Sequence, residues 1–325
     1  MLERPLLEMR NLKTYFKVRG NILKAVDDVS FTLAPGETLG LVGESGCGKS
    51  VTAATIMGLI PIPPGMIAGG EIYFNGVDLL KLPESRMRKI RGCDISMIFQ
   101  EPMTSLNPVF TVGDQVGEVI ELHEKLSRSE IRRRIIDAFR LVGIPAPEKR
   151  LDDYPHQMSG GMRQRVMIAM ALACNPRMMI ADEPTTALDV TIQAQILELM
   201  NDLKRKTGTA ILFITHDLGV IAEMAQKVAV MYAGKVMELA TAADLYTEPK
   251  HPYTVGLLSS IPVLGKTSKK QRLSTIRGVV PSLFSLPPGC LFSDRCPETR
   301  EICQNEDPPM TTLADKRLVR CFNYA

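Results

Sequence analysis

Residues 43 to 50 have the types and spacing of a loop that binds phosphate groups. They follow an apolar run at 39 to 42, and a helix is predicted to open directly after them. Glycines let backbone N–H groups converge on phosphate oxygens, and the N-terminus of the following helix adds positive potential. The residues of this predicted nucleotide site are Gly43, Glu44, Ser45, Gly46, Cys47, Gly48, Lys49, Ser50 and Val51.

Lys49 and Ser50 carry the polar side-chain chemistry of this loop. We expect the Lys49 ammonium group to reach the β- and γ-phosphates of a nucleotide. The Ser50 hydroxyl is a hard oxygen ligand and is expected to bind Mg2+. A glycine-rich turn with an exposed lysine is the alternative, and the strand–loop–helix context argues against it.

A second polar group lies at the end of the apolar run 178 to 181. Such a run predicts a buried strand that delivers Asp182 to its carboxyl end, where the carboxylate can hold Mg2+ through water. The adjacent Glu183 would point the other way along the pleat, towards an attacking water. We therefore predict that Glu183 is a general base. An ordinary strand end with two acidic residues is the alternative.

The hydrophobic pattern predicts the elements that position these residues. Residues 6 to 18 and 25 to 33 alternate apolar with polar side chains, which predicts an antiparallel sheet. Shorter apolar runs, separated by helical segments, are typical of strands covered on both faces, so we expect a mostly parallel sheet between helices. These runs lie at 39–42, 95–99, 178–181, 211–214 and 228–232.

Helical periodicity replaces the apolar runs between about 105 and 165, which predicts an inserted helical subdomain. Its helices are expected at 112 to 125 and at 128 to 141. A further helix is predicted from Thr191 to about Lys206, and Gly208 should end it as a left-handed cap.

Composition narrows the class of protein. A chain of 325 residues is long enough for two domains, and Pro, Lys, Ser and Cys become frequent after about 245. We therefore predict a core at 1–245 and a smaller unit at 246–325. A net charge of +3 gives no reason to expect nucleic acid as a partner. No signal pattern or stretch of the ~20 apolar residues that span a bilayer is present, so we expect a cytoplasmic protein.

In this order, the motifs resemble those of the nucleotide-binding subunit of an ATP-binding cassette (ABC) transporter, over roughly residues 5 to 245. The resemblance implies an α/β P-loop NTPase core with an antiparallel β subdomain and a helical subdomain. It also implies ATP and Mg2+ as ligands, hydrolysis of ATP, and a second ATPase subunit. The further matched residues are Gln100, Ser159, Gly160, Gly161, Ala187, Leu188, Asp189 and His216.

The resemblance assigns a role to each matched residue. Gln100 would contact Mg2+ and the lytic water, and His216 would be the switch histidine near the γ-phosphate. Asp189, with Ala187 and Leu188, would lie at the interface of the ATPase dimer. A surface glutamine and a structural histidine are the alternatives for Gln100 and His216 taken singly.

An aromatic side chain from the first strands stacks on adenine in this family. By its spacing from Leu12, Phe16 fits that position best and Tyr15 is second. A core or edge aromatic remains the alternative for either residue.

Ser159, Gly160 and Gly161 match the family's signature motif, which caps the γ-phosphate of ATP held by the opposite subunit. Ser159 is predicted to be a helix N-cap, and the two glycines allow close backbone approach to an anion. Met162 stands where the family most often has Gln, which removes only a side-chain contact. We expect this helix start to serve a neighbouring subunit rather than its own chain.

The segment His251-Pro252-Tyr253, followed by Thr254 and Leu257-Leu258, resembles the start of a C-terminal extension found on peptide-importer ATPases. This resemblance narrows the expected substrate to oligopeptides or dipeptides, with nickel uptake as a near relative. It implies two integral membrane permease subunits and, indirectly, an extracytoplasmic peptide-binding protein. We expect the chain to sit on the cytoplasmic side of the membrane and to pair with a related but different ATPase chain; a copy of itself is the alternative.

Four cysteines crowd into the last 36 residues, whereas Cys47, Cys93 and Cys174 are scattered and expected to be free thiols. Disulfides are disfavoured in a cytoplasmic protein, and structural zinc usually brings a closely spaced cysteine pair that is absent here. The wide spacing and the resemblance favour a 4Fe-4S cluster; zinc and bare thiols remain the alternatives. The expected cluster ligands are Cys290, Cys296, Cys303 and Cys321.

Two other kinds of protein compete with a transporter ATPase. A soluble cassette ATPase of DNA repair, chromosome maintenance or translation would carry long coiled coils or tandem cassettes. Only about 110 residues separate Ser50 from Ser159, which disfavours it. A regulator with a vestigial ATPase is disfavoured by the intact Lys49, Asp182 and Glu183.

Overall fold

The computed structural model describes residues 4–100, 105–186, 188–261 and 275–325. Both long strands and short buried strands occur. The strands are β1 (Leu7–Val18), β2 (Asn21–Leu33), β3 (Thr38–Val42), β4 (Gly65–Phe74), β5 (Val77–Asp78), β6 (Ile95–Ile98), β7 (Met178–Asp182), β8 (Ala210–Ile214), β9 (Lys227–Tyr232), β10 (Lys235–Thr241), β11 (Thr311–Thr312) and β12 (Leu318–Val319).

The helices range from a single turn to five turns. Within the part of the chain that the structure describes, none is long and apolar enough to cross a lipid bilayer. The helices are α1 (Lys49–Ile56), α2 (Glu84–Ile90), α3 (Val112–His123), α4 (Arg128–Leu141), α5 (Pro147–Arg150), α6 (Gly160–Leu172), α7 (Val190–Thr207), α8 (Leu218–Met224), α9 (Ala242–Thr247), α10 (Pro252–Ser259) and α11 (Glu301–Asn305).

The chain forms two compact units. The first contains the described residues up to Leu33, Thr38–Leu80, and the described residues from Thr215 onwards. The second contains Ala34–Glu37 and the described part of Lys81–Ile214. The division into domains at 1–245 and 246–325 stays a prediction.

The first unit contains the antiparallel sheet that the alternating pattern predicts. Its strand order is β2-β1-β4-β5, and β1 pairs with both β2 and β4. Buried residues such as Leu7, Met9 and Leu12 in β1 supply its apolar face, while intervening side chains are half-buried or exposed. One-sided burial of this kind fixes the register, because a slip by one residue would expose every apolar side chain.

A second set of strands in this unit runs in the order β11-β12-β10-β9-β3. Parallel pairing joins β3 to β9, and the other neighbours are antiparallel. All five residues of β3 are buried, which agrees with the continuous apolar run at 39–42. The phosphate-loop sequence begins directly after Val42, at the carboxyl end of β3.

The second unit contains the parallel strands β8, β7 and β6, with β7 in the middle. Every residue of β7 and β8 is buried, as their unbroken apolar sequences predict. The two helices predicted at 112 to 125 and 128 to 141 are confirmed as α3 and α4, both of which start at residues expected from the sequence. Ser127 and Glu130 form a capping box at the start of α4, which fixes where that helix begins.

The helix predicted from Thr191 is α7, and it ends at Gly208 as expected. Gly208 has a φ of 68°, a conformation that glycine adopts without the steric strain of a Cβ atom. Asp189 caps the other end by accepting a hydrogen bond from the Ile192 N–H at 2.9 Å. Both ends of α7 are therefore set by local sequence.

The His-Pro-Tyr segment starts α10. His251 is the N-cap, and its Nδ1 accepts a hydrogen bond from the Tyr253 N–H at 3.0 Å. Pro252 occupies the first turn, where its missing N–H leaves no hydrogen bond unmade. The buried Glu238 carboxylate accepts hydrogen bonds from the N–H groups of Lys250 and His251. These contacts hold α10 against β10.

Stability should fall at acidic pH through His251, because burial lowers the pKa of this imidazole to about 4. In the unfolded chain the pKa of this imidazole is about 6.5, so the unfolded state takes up the proton first as the pH falls. We expect the free energy of unfolding of the wild type to fall by roughly 3 kcal/mol more than that of His251→Asn between about pH 6.5 and 4.

Urea unfolding at a series of pH values measures this difference. Asn retains a capping oxygen but does not titrate, and replacement of the exposed His156 by Asn is the control. Equal pH slopes for the wild type and His251→Asn would contradict the assignment.

Candidate functional site

The phosphate loop in the first unit follows a path that only glycine permits at two positions. Gly43 has a φ of 152°, and a Cβ atom there would lie 2.1 Å from the Met231 carbonyl oxygen. Gly48 has a φ of 104°, and a Cβ atom there would lie 2.2 Å from the Ala25 carbonyl oxygen. Both distances are far shorter than van der Waals contact. The loop therefore packs directly against neighbouring backbone and forms a tight turn.

Lys49 is buried and turns back across this loop. Its Nζ donates hydrogen bonds to the carbonyl oxygens of Gly43 at 2.8 Å and Glu44 at 3.2 Å. The helix α1 begins at Lys49, two residues before the predicted start, and no side chain caps its N-terminus. A loop of this shape, with an ammonium group and a helix N-terminus, fits an anionic phosphate chain.

Glu44 is held by residues from the C-terminal part of the chain. The Arg295 guanidinium donates to both of its carboxylate oxygens, at 2.7 and 3.0 Å. The Glu44 N–H donates to the Tyr253 hydroxyl at 3.0 Å. The start of the phosphate loop is therefore tied to two side chains more than 200 residues away in sequence.

Tyr15 and Phe16, the candidates for stacking on adenine, differ in their contacts. The Tyr15 hydroxyl donates to Asp27 at 2.6 Å, and the Lys24 ammonium group lies 5.8 Å from the centre of the Tyr15 ring. Phe16 pairs across the sheet with Leu23 and Gly65 and is half-buried. Tyr15 is committed to neighbours within the sheet, which leaves Phe16 as the better candidate.

In the second unit, Glu183 follows the buried Asp182 at the carboxyl end of β7. Glu183 has a φ of 47°, a left-handed conformation that is strained for a residue with a side chain. Its Oε2 accepts hydrogen bonds from Gln100 Nε2 at 3.1 Å and from the Thr186 hydroxyl at 3.0 Å. Gln100 and Glu183 are 83 residues apart in sequence, and the structure brings them together.

Ser159 is the N-cap of α6, as the sequence predicts, and its hydroxyl accepts a hydrogen bond from the Met162 N–H at 3.3 Å. Ser159 and Gly160 are exposed. A Cβ atom on Gly161 would lie 2.9 Å from Ile192 Cγ2, so this glycine also allows α6 and α7 to pack closely. The structural demand at Gly161 is separate from any contact with a nucleotide.

Asp189 lies at the start of the helix α7, and His216 lies just before the start of the helix α8. Asp189 is the N-cap of α7, and Leu188 lies 3.9 Å from the position of a Cβ atom on Gly160. Ala187 lies outside the described residues. His216 is exposed beside Asp217, which caps α8 by accepting hydrogen bonds from the N–H groups of Gly219 and Val220.

The predicted site residues fall into two groups, each described within its own unit. The roles of these residues towards ATP and Mg2+ remain predictions. The first unit contains Tyr15, Phe16, Gly43, Glu44, Ser45, Gly46, Cys47, Gly48, Lys49, Ser50, Val51 and His216, and the second contains Gln100, Ser159, Gly160, Gly161, Asp182, Glu183 and Asp189.

Known proteins share both the core and the C-terminal part of this chain. An "ABC transporter" family profile matches residues 26–186, and a profile for the C-terminal region of oligopeptide/dipeptide transporters matches residues 237–303. The oligopeptide transport ATP-binding protein AppD of Bacillus subtilis is 53% identical over 98% of this chain and 97% of its own length. The chain belongs to the ATP-binding proteins of oligopeptide and dipeptide ABC transporters.

Another relative and a solved structure agree with this family. The dipeptide transport ATP-binding protein DppD of Bacillus subtilis is 52% identical over 97% of this chain and 94% of its length. A dimeric ABC cassette in a post-hydrolysis state with ADP and Pi is 28% identical, with a TM-score of 0.65, over 73% of this chain and 98% of that chain. The predicted fold class is confirmed, and this ABC protein is an ATPase.

The predicted 4Fe-4S cluster is wrong for this ABC ATPase. Among residues 4–100, 105–186, 188–261 and 275–325, no group of three or more His, Cys, Asp or Glu side chains is arranged to hold a metal ion. This finding also gives no support to zinc. The residues concerned, all free thiols, are Cys290, Cys296, Cys303 and Cys321.

The four cysteines nevertheless lie near one another in the C-terminal region. They line one small cavity together with His251 and Phe292, but among the described residues no three of them are arranged around a common metal position. Burial raises the pKa of Cys290 to about 11 and also raises the pKa of Cys296 and Cys321.

Sequence reasoning missed three residues that shape the site. Thr186, which bonds to Glu183, lies three residues further on, and a tight turn after the strand could have drawn attention to it. Arg295 and Tyr253, which hold Glu44, carry no local signal, since the contacts span 251 and 209 residues. Only the folded chain brings them to the phosphate loop.

Replacing Gly48 by Ala should disrupt the phosphate loop, because the added Cβ would meet the Ala25 carbonyl. We expect nucleotide affinity to fall by roughly 100-fold, measured by calorimetric titration with a non-hydrolysable ATP analogue and Mg2+. Gly46→Ala is the matched control, because Gly46 also has a positive φ, of 79°, but no other atom lies within 4 Å of its Cβ position.

Gly46→Ala should lose no more than about tenfold in affinity, from backbone strain alone. Equal losses for the two variants would show that the close approach to Ala25 does not set the path of the loop.

Proposed function

We propose that this protein is the ATP-hydrolysing subunit of a membrane transporter that imports oligopeptides or dipeptides. The observation that carries the proposal is the hydrogen-bonded pair of Gln100 and Glu183 at the end of β7, in a chain whose relatives are peptide-transport ATP-binding proteins. A carboxylate held beside an amide at the carboxyl end of a parallel strand suits the orientation of an attacking water.

The nucleotide is proposed to bind in the phosphate loop. The curved backbone from Gly43 to Gly48 can direct N–H groups at phosphate oxygens, and the Lys49 ammonium group can neutralise the β- and γ-phosphates. Phe16 is the proposed platform for adenine, with Tyr15 second. On binding, Lys49 Nζ would exchange its hydrogen bonds to the carbonyls of Gly43 and Glu44 for hydrogen bonds to phosphate oxygens.

Three of the predicted site residues carry side-chain oxygen atoms that suit Mg2+. Ser50, Asp182 and Gln100 are proposed to hold the ion, directly or through water, and these donors suit a hard cation. Bound Mg2+ would neutralise charge on the β- and γ-phosphates. Asp182 is buried, and a buried carboxylate is stable only when it is paired with a cation or with hydrogen-bond donors, which favours a role as a Mg2+ ligand.

Glu183 is proposed to accept the proton of the attacking water. The hydrogen bonds from Gln100 and Thr186 to Oε2 fix the carboxylate, and the strained backbone at Glu183 sets its direction. His216 is proposed to hold the γ-phosphate geometry. Catalysis then consists of positioning the attacking water and of electrostatic stabilisation of the phosphoryl group in the transition state.

Hydrolysis is proposed to require a second ATPase subunit. The exposed start of α6, with Ser159 and Gly160, would cap the γ-phosphate of ATP held by the partner, and Asp189 would lie at the same interface. One related cassette is described as a dimer with ADP and Pi. We propose a partner that is a related but different chain in the assembled transporter.

The remaining partners are proposed from the family. Two integral membrane permease subunits would receive the motion of the ATPase pair, and a peptide-binding protein would act on the outer side. The contact surface is proposed around residues 100 to 107, of which 101–104 lie outside the described residues. The ATPase would be peripheral, on the cytoplasmic face of the membrane. Both relatives named above transport peptides, so peptides are favoured over nickel as cargo.

Replacing Glu183 by Gln should preserve binding of ATP and abolish turnover, because Gln keeps the shape and the hydrogen-bond acceptor but cannot take a proton. We expect the ATPase rate of the assembled transporter to fall by roughly 100- to 10,000-fold. Affinity for ATP should change by less than about threefold. Phosphate release and calorimetric titration measure the two quantities.

Glu198→Gln is the matched control, since Glu198 is exposed on α7 in the same unit. It should retain wild-type turnover. A Glu183→Gln protein that hydrolyses ATP at the wild-type rate would remove this residue from the mechanism.

A further inference from the structure

Glu44 is the acidic residue of the phosphate loop, and the fold holds it at three points. Its carboxylate accepts both hydrogen bonds of the Arg295 fork, its N–H donates to the Tyr253 hydroxyl, and its carbonyl accepts from Lys49 Nζ. All of these residues lie in the first compact unit. The first variable position of the loop is therefore fixed in both backbone and side chain.

Arg295 is itself held rigidly. Its side chain is only 5% exposed, and its Nε donates to the Arg277 carbonyl at 3.0 Å. The guanidinium lies 5.7 Å from the centre of the Tyr232 ring and 6.0 Å from that of Phe292. An arginine fixed by a carbonyl and two aromatic rings presents its two-pronged face to Glu44 with little loss of side-chain freedom.

Tyr253 reaches the loop through the aromatic cluster, which comprises Tyr232, Tyr253, Phe292 and His251. The centre of the Tyr253 ring lies 4.7 Å from the centre of the Tyr232 ring and 5.3 Å from that of Phe292. Burial raises the pKa of Tyr253, so its hydroxyl stays protonated. The cap at His251 starts the helix that carries Tyr253, and the hydroxyl then accepts the Glu44 N–H.

The charge of Glu44 conflicts with the chemistry of the loop. A carboxylate at the mouth of a phosphate-binding loop repels an approaching triphosphate, whereas a carboxylate paired with a guanidinium carries almost no net field. The bidentate pair also prevents the Glu44 side chain from competing for the Lys49 ammonium group.

We propose that Arg295 and Tyr253 are positioning residues of the nucleotide site, which hold Glu44 and so set the charge and the path of the phosphate loop. The C-terminal region thereby controls affinity for the nucleoside triphosphate. This inference rests on the proposed function, since it requires that the loop bind ATP.

The test is calorimetric titration of the full-length chain with a non-hydrolysable ATP analogue and Mg2+, with the melting temperature measured for each variant. Arg295→Ala should weaken binding by about tenfold, because it leaves the Glu44 charge uncompensated. Glu44→Gln combined with Arg295→Ala should restore affinity to within about threefold of the wild type. The Arg295→Ala defect should also shrink when ionic strength rises from ~0.05 to ~0.5 M.

The matched control is Arg317→Ala. Arg317 is also a buried arginine of the C-terminal region, 7% exposed, but it pairs with Glu248 and Asp315. Its loss should lower the melting temperature and leave the affinity for the ATP analogue unchanged. For the second contact, Tyr253→Phe should weaken binding by about threefold, because it removes the acceptor of the Glu44 N–H.

Wild-type affinity in Arg295→Ala would overturn the proposal. A double variant as weak as Arg295→Ala would also overturn it, since the defect would then come from loss of structure and not from charge. Failure of the proposed function looks different: the wild-type chain itself would not bind the ATP analogue, and Lys49→Ala would change nothing.

Discussion

The close passage of the phosphate loop against neighbouring backbone is the constraint on which the nucleotide site depends. Gly43 and Gly48 come so near to the carbonyls of Met231 and Ala25 that no side chain fits. This packing joins the loop to β9 and β2, so the antiparallel sheet and the C-terminal strands both contribute to its path. The conformational freedom of glycine is thus used to bring backbone groups together, and the loop gains rigidity from the surrounding fold.

A second constraint acts at the end of β7, where the chain leaves the buried strand in a left-handed conformation at Glu183. Such strain persists only where the surroundings hold it, and here Gln100 and Thr186 bond to the same carboxylate oxygen. The strand β7 fixes where Glu183 lies, and the left-handed turn at Glu183 fixes the direction of its side chain. Gly161 illustrates the reverse case, because its residue type is required by packing against Ile192 regardless of any nucleotide.

The cysteines show how a sequence pattern can mislead. Their spacing and residue type favoured an iron-sulfur cluster, since four thiols in a short segment suggest a shared ligand. Spacing along the chain does not report how the side chains are arranged in space. Within the described residues, the fold brings no three metal-ligating side chains into an arrangement that could hold a metal ion.

The sequence by itself predicted the strands β1 to β3 and β6 to β9, the helix ends at Ser159 and Gly208, the family and the candidate residues of a phosphate loop. These properties depend on local periodicity and on the chemistry of neighbouring residues. Only the tertiary structure decided that Gln100 meets Glu183 and that Arg295 meets Glu44, a contact across 251 residues. Pairings at such separations depend on how whole elements pack, and no local pattern encodes them.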